Sequence, residues 1–505
     1  MIRAAVVPGI RDELRSFRSA ARWARQVRRD VADGHRDQGG QRCLDETVAE
    51  AASPSYFPRS KRPTIQLPEN HPIVVLTDNV DWTEMETRAE KIRERKLKNA
   101  AGRPPHLRAT LGALALMAIR NRPYRDLEDQ IRYYAPARYL CGLTETDWTP
   151  DFTTVHDFAQ LMGEDGLRLI NESVVQQAVA LGLADTTVAV ADVTAQEAAI
   201  PHPNEMGLLA SFVRSVESAA SKAGRAFKGL FAKVAGTIQA AKKKVREHRL
   251  FAKTKQARLR VLSQMTNLVE GITAALGKAL DASRSAAGKL RGYGVVARRK
   301  LIQLNDTMER LLPQIRYWLR TGYVAAGKII NLHIPELYSI VRGKVGKTVE
   351  FGLSWGITRL KGGFVLATVA QNKGELHDSR FAVRAVEKLA ELFGKAPRSY
   401  AYDRAGYSTK NIERLRGLGV RDVGLAPLGR AAWQVKGHVK EQLIAERALI
   451  EGSIGTIKGL KYRFNRPAAR SAPMMGVCGQ RAVLGLNLTK LVRGIAEKRE
   501  LTLAA

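Results

Sequence analysis

The strand-forming chemistry of this chain is broken in two, and the break limits the folds open to it. Thr187-Val188-Ala189-Val190-Ala191-Asp192 is a β-prone run that ends on an acid. From about Met206 to Ile330 the sequence turns Ala-rich and helical, and β-prone residues return only at Thr348-Val349-Glu350-Phe351-Gly352-Leu353-Ser354-Trp355. After a turn at Lys361-Gly362-Gly363, Phe364 to Val369 reads as the second strand of a hairpin. A helix over about Arg380–Phe393, a strand closing on Asp403, a helix near Thr409–Leu418 and a short strand near Val423–Ala426 follow. The pattern predicts a mixed α/β core interrupted by a helical insertion, then a helix around Glu451 and a closing amphipathic helix near Ala482–Ala496.

Upstream, residues from about 80 to 185 read as all-helical. Leu111-Gly112-Ala113-Leu114-Ala115-Leu116-Met117-Ala118-Ile119 is apolar on every side, which predicts a buried helix ending at Asn121-Arg122-Pro123. A second helix is expected over Arg125–Tyr134. A third is expected after Asp151, which stands where a capping residue belongs, with Thr153 and Thr154 in the first turn. Residues 1 to about 65 are Arg-rich and mixed in charge; a helix over about Arg11–Val31 is plausible there, within a loosely ordered extension.

The charge balance narrows the partners. Lys and Arg number 82 against 49 Asp and Glu, a net +33, which points to a polyanion: nucleic acid first and an anionic membrane second. No apolar run approaches the roughly 18 residues of a spanning helix, and the first residues lack the apolar stretch of a secretory signal. Cys43, Cys141 and Cys478 are far apart, without a Cys-x-x-Cys pair, which argues against a disulfide framework and a structural zinc site. A cytoplasmic protein with access to the nucleoid is expected. Residues 206–330 carry 25 Lys or Arg against 6 Asp or Glu, more than half of the net charge. Lys242, Lys243, Lys244, Arg246, Lys253 and Lys255 are spread around the helix instead of confined to one side. A solvated helical hairpin is the plain reading of such a stretch, but the imbalance of sign makes it the main candidate for phosphate-backbone contact.

Three acids carry the chemistry. Asp192 and Asp403 each close a β-prone run. Glu451 lies in a helical run where Arg447, Glu451 and Lys458 fall at roughly 0°, 40° and 20° on the wheel, on one face beside an apolar seam of Leu449, Ile450, Ile454 and Ile457. Alone, the helical trio reads as a surface ion pair. With two strand-end acids it suits hard divalent cations, because Mg²⁺ prefers carboxylate oxygens and uses only one or two of them beside water and substrate phosphates.

At these residues the chain resembles the DDE transposases of bacterial insertion sequences, which have an RNase H-like catalytic domain. Their third-acid signature reads tyrosine, two residues, arginine, three residues, glutamate, six residues, lysine; Arg447, Glu451 and Lys458 are in register, and Ile444 occupies the tyrosine position. Asp192-Val193-Thr194 with the proline-bearing Ile200–Glu205 is similar to the first-acid region, and Asp403 with Gly406 and Tyr407 to the second. Thr149-Pro150-Asp151-Phe152-Thr153-Thr154-Val155 is similar to a segment of the helical domain that precedes catalysis in such transposases. The resemblance covers roughly residues 70 to 490. It implies Mg²⁺-dependent phosphoryl transfer on DNA (Mn²⁺ being the alternative ion), with Asp192, Asp403 and Glu451 as catalytic metal ligands and no covalent protein–DNA intermediate. Arg447 and Lys458 would support them near the phosphates. The partners implied are double-stranded DNA, at element ends and target, and a second copy of the chain or a larger assembly, with no membrane. The expected organisation is an extension over 1–70, a helical DNA-end-binding domain over 71–185, an RNase H-like core over 186–205 and 331–470, a basic insertion over 206–330 and a C-terminal helix over 471–505. The competing reading is a catalytically inactive or domesticated DNA-binding relative; an RNA-binding helical protein explains the charge but none of the acids.

Two other motifs fall away. Gly346-Lys347-Thr348 lacks the glycine a P-loop needs at Val341 and leads into a strand instead of a helix. His377-Asp378-Ser379-Arg380 has the His-x-x-Arg spacing of tyrosine recombinases, but four residues match by chance, and a role at a helix start explains them better.

Overall fold

The computed structural model describes residues 66–97, 106–222, 228–283, 293–344, 347–370, 374–427, 429 and 432–504; the extension and the helix expected over Arg11–Val31 lie outside them. Among the described residues, six helices come first: α1 (Pro72–Asn79), α2 (Trp82–Lys96), α3 (Leu107–Arg120), α4 (Tyr124–Tyr133), α5 (Ala135–Leu140) and α6 (Phe152–Ala180). As its composition predicts, α3 is buried from Ala109 to Ala118; it stops at Asn121, whose φ of 48° is left-handed. Asp151 caps α6, accepting the Thr154 N–H at 2.7 Å and the Thr153 hydroxyl at 2.6 Å. These bonds, that of the Thr153 hydroxyl foremost, hold its carboxyl below the usual carboxylate range.

The sheet is mixed. Strand β1 (Asp185–Glu197) is followed by four helices, α7 (Glu205–Lys222), α8 (Lys228–Leu250), α9 (Lys255–Ala282) and α10 (Tyr293–Thr321). Strands β2 (Tyr338–Lys344), β3 (Lys347–Lys361) and β4 (Val365–Val369) follow, then α11 (Asp378–Phe393), β5 (Ser399–Tyr402), α12 (Thr409–Gly417), β6 (Asp422–Leu425), α13 (Gly437–Lys458) and α14 (Ala472–Ala504). The order is β2-β3-β1-β5-β6, with β4 also on β3. Pairings of β3 with β1, β2 and β4 are antiparallel, whereas β5 runs parallel to both β1 and β6. The β3–β4 turn uses Gly362 and Gly363 at φ 94° and 86°, a conformation open to glycine. Strand β2 has no counterpart among the strands that the sequence predicts. His377 stands at the start of α11, in the role expected of it.

Alternation along β1 sorts its side chains between two cores. Ala189, Ala191 and Val193 join a cluster with Leu114 of α3, Leu167 of α6 and Val386 of α11. Val188 and Val190 join another with Ala401 of β5 and Leu443, Ile450 and Ile457 of α13. The helices preceding the sheet thus share one continuous core with one of its faces, and α13 covers the other. The insertion differs from the expectation of charges spread around its helices. Helices α7–α10 close on a core of their own; α8 contributes the stripe Val234, Ile238 and Ala241, and its charges occupy the rest of the surface.

A buried polar network ties α6, α14 and β4 together. Helix α6 breaks at Gly163 (φ 64°), and beside it Glu164 accepts the Gln480 Nε2–H at 2.7 Å. Gln480 also donates to the Ala367 carbonyl at 3.0 Å, and Asn171 donates to the Gln480 carbonyl at 2.9 Å. Burial pushes the Glu164 carboxyl up to about 7, from about 4.5 in an exposed glutamate. A raised acid favours the folded state while protonated, so its contribution is present below pH 4.5 and is lost as pH rises toward 7. Glu164→Gln, which cannot ionise, is therefore expected to stabilise the protein at pH 8 by on the order of 1–3 kcal/mol and to change little at pH 4. Denaturant midpoints at the two pH values check this; an equal gain at both would mean that ionisation is not the cause.

Candidate active site

Strand register brings the two aspartates together. In the parallel pair, Val188 faces Ser399, Ala189 faces Tyr400 and Val190 faces Ala401. Asp192 is two residues beyond Val190, and Asp403 two beyond Ala401, so both acids follow the same step of neighbouring strands, which lie about 4.8 Å apart. Both keep the parity of the face that α13 covers. Both carboxylates also act on one buried group. Burial chiefly, and then the negative charges of Asp192 and Asp403, raise the pKa of the Tyr400 hydroxyl.

The local settings of the two acids differ. Asp192 was expected to close its strand, but β1 continues to Glu197 because the antiparallel β3 continues beside it, pairing Asp192 with Ile357 and Glu197 with Gly352. The strand end at this point belongs to the β1–β5 pair alone. Asp192 Oδ1 accepts the Val193 N–H at 2.7 Å. Asp403 does close β5; its Oδ1 accepts the Ala405 N–H at 2.9 Å and caps the short 3₁₀ turn Arg404–Gly406.

Arg447, Glu451 and Lys458 lie on one continuous helix, α13. Its buried stripe is Leu443, Ile450 and Ile457, with Ile454 packed at the margin; Leu449, expected in the apolar seam, is 51% exposed. Glu451 is turned about 100° from Ile450 and is exposed. Among the described residues, no three His, Cys, Asp or Glu side chains converge so as to hold one metal ion. The two aspartates are thus adjacent, and Glu451 belongs to the helix above them without forming a three-carboxylate cluster.

One pair is absent from the sequence-based expectations. Arg359 of β3 donates to Glu446 of α13, and both side chains are largely buried. The signal was an arginine set two residues beyond Ile357 and directly before Leu360 in a strand that is mostly buried, since a buried cation requires a partner. In the insertion, Lys242 pairs with Glu217 at 2.6 Å and Lys244 with Glu247 at 2.8 Å. Lys243, Arg246, Lys253 and Lys255 are exposed. None of the helices in the described residues is long and apolar enough to cross a membrane.

Residues 62–161 match the model of a family described as a transposase domain (DUF772). The match spans α1 to α5 and the first turns of α6, and it includes Thr149–Val155. Comparison with curated proteins finds no match, and comparison with solved structures finds none. The family match supports a transposase as the general class and DNA as the general partner.

Proposed function

We propose that this chain is a DDE-type DNA transposase that cuts and joins the strands at the ends of an insertion sequence in a divalent-metal-dependent reaction. The shared register of Asp192 and Asp403 carries the reading, beside the transposase-domain match. Two carboxylates side by side on neighbouring parallel strands offer the oxygen donors that Mg²⁺ or Mn²⁺ takes alongside water and phosphate. A mixed sheet with helices on both faces and an insertion after its first strand is compatible with an RNase H-like core.

The wheel of α13 supports the remaining assignments. Glu446 reaches Arg359, which lies opposite Val190, so that flank of the helix faces back along β1. Arg447, Glu451 and Lys458 share the opposite flank, and in this reading that flank serves the end of the sheet where Asp192 and Asp403 stand. Glu451 is the third ligand in this reading, and Arg447 and Lys458 set positive charge beside the phosphates, where negative charge develops in transfer. When bound, the ions supply activation of water or a 3′-hydroxyl and stabilisation of the leaving oxygen. Purified protein should nick duplex DNA bearing the element's ends only when Mg²⁺ or Mn²⁺ is added; DNA bound but never nicked would favour the second reading. That reading is a non-catalytic DNA-binding relative, and the absence of a three-carboxylate cluster among the described residues is the observation in its favour.

The insertion supplies phosphate contacts in this proposal. The Lys242–Glu217 and Lys244–Glu247 pairs are partly exposed, where solvent screening leaves an ion pair weak. Converting Lys242, Lys243, Lys244 and Arg246 to Ala should weaken binding to any DNA sequence and flatten the dependence of log affinity on log salt. The slope should change by about 0.9 for each phosphate that the variant no longer neutralises, with little change in sequence preference. If the helices instead join copies of the chain to one another, a salt titration will give equal slopes for wild type and the quadruple variant, and assembly will change.

A further inference from the structure

We infer that a cleft between the transposase-domain helices and the segment after α13 binds one unpaired nucleotide, its phosphate on an arginine rim and its base on an apolar floor. The inference rests on the proposed function only for the source of that nucleotide, a DNA strand. The cleft holds about 550 Å³. That is small-molecule scale, more than a phosphate alone would fill and far less than a duplex requires. Arg122, Arg463, Arg470 and Arg481 line it, with no carboxylate among its described lining residues. Met117 and Met474 supply apolar, polarizable surface. Tyr124 and His156 meet edge to face at 5.2 Å, giving the aromatic wall on which bases stack in single-strand binding.

The backbone marks the same place. Among the described residues, those other than glycine in the left-handed region are Asn121, Arg463 and Arg466, at φ 48°, 51° and 50°. Asn121 and Arg463 line the cleft, and Arg466 is three residues on. Asn adopts this conformation readily at a helix end, as Asn121 does, but it is unfavourable for Arg463 and Arg466, and such residues gather at functional sites. The Asn121 side chain donates to the Leu460 carbonyl at 3.2 Å, fastening one wall to the other. Arg466 is anchored on Glu197 at the end of β1, through its N–H to the Glu197 carbonyl at 2.8 Å and its guanidinium to the carboxylate at 3.3 Å. The segment that carries Arg463 is therefore tied, through Arg466, to the end of the strand that carries Asp192.

Three probes test the inference: a blunt DNA duplex, the same duplex with a short single-stranded tail, and free dAMP. Wild type should prefer the tailed duplex by about tenfold, the value of one stacked base, and dAMP should compete for that preference. Arg463→Gly removes a guanidinium and at the same time places the residue most tolerant of φ 51° at that position. It should abolish the preference while its melting temperature holds or rises, whereas a merely structural Arg463 predicts that the preference survives. The double variant Arg122→Ala with Arg470→Ala should abolish it too, with blunt-duplex affinity falling far less. Equal binding of blunt and tailed duplex by wild type, or an undiminished preference in both variants, overturns the inference and leaves the transposase reading standing. Binding of dAMP with neither duplex bound would do the reverse, keeping the nucleotide site and removing the DNA function.

Discussion

Asp192→Asn, Asp403→Asn or Glu451→Gln is expected to lower DNA strand cleavage by at least about a thousandfold, several kcal/mol of transition-state stabilisation, while DNA affinity stays nearly unchanged. Affinity in this proposal comes from phosphate contacts away from the acids, so the two measurements separate. Each exchange also keeps the size and shape of the side chain. In the two aspartate variants the amide oxygen that replaces a carboxylate oxygen can still accept the Val193 or Ala405 N–H, which Asp192 and Asp403 accept now. Glu451 is exposed on its helix. A fall in cleavage then reports chemistry and not unfolding. Cleavage at the wild-type rate by any one variant removes that residue from the site. Because Glu451 does not stand in a cluster with the aspartates, its variant is the sharpest of the three.

The second large effect is on stability. Gly352→Ala is expected to destabilise the protein by at least about 3 kcal/mol. A Cβ at Gly352 would stand 1.8 Å from the Gln196 carbonyl oxygen and 2.9 Å from its carbon, and that carbonyl is backbone of β1, so no side chain can swing aside. Gln196 itself is pinned: its amide donates to the carbonyls of Phe464 and Met475 at 3.0 Å, and its oxygen accepts the Trp355 indole N–H at 3.0 Å. Gly271→Ala is the control, a glycine within α9 with nothing near its would-be Cβ. That change should stabilise by about 0.5–1 kcal/mol through helix propensity. Chemical denaturation of both variants checks the pair; a Gly352→Ala protein as stable as wild type would mean that β1 and β3 do not approach so closely there.

Features with a local cause were legible in the sequence. Asp151 announces the start of α6, the unbroken apolar run announces the burial of α3, and Gly362-Gly363 announces the hairpin turn. Features set by distant partners were not. Thr194 and Gln196 look too polar to extend a buried strand, and they do so because β3 pairs with them and Trp355 reaches Gln196. Leu449 looks like a core residue from the seam pattern, yet the sheet meets α13 along Leu443, Ile450 and Ile457 and leaves Leu449 outside. The lysines of α8 concealed a narrow apolar stripe that only three neighbouring helices complete. For the candidate site, the residue types could be read from the chain, but the register of Asp192 beside Asp403 could not. It depends on the pairing of segments some 200 positions apart, which no local pattern encodes.

The division of the interior between two kinds of helix carries a consequence for how such a chain can diversify. The four helices after β1 bury their apolar residues against one another, so they can be lengthened, recharged or exchanged with the rest of the fold left intact. The helices before β1 have no such independence, because Leu114 and Leu167 share their surroundings with Ala191 and Val386. A lineage could reshape the surface of the first group by drift alone. Any change to the second must be accepted at once by the strands that carry the acids, and in the proposed function the recognition of ends and the cutting of them would thereby be inherited as one piece.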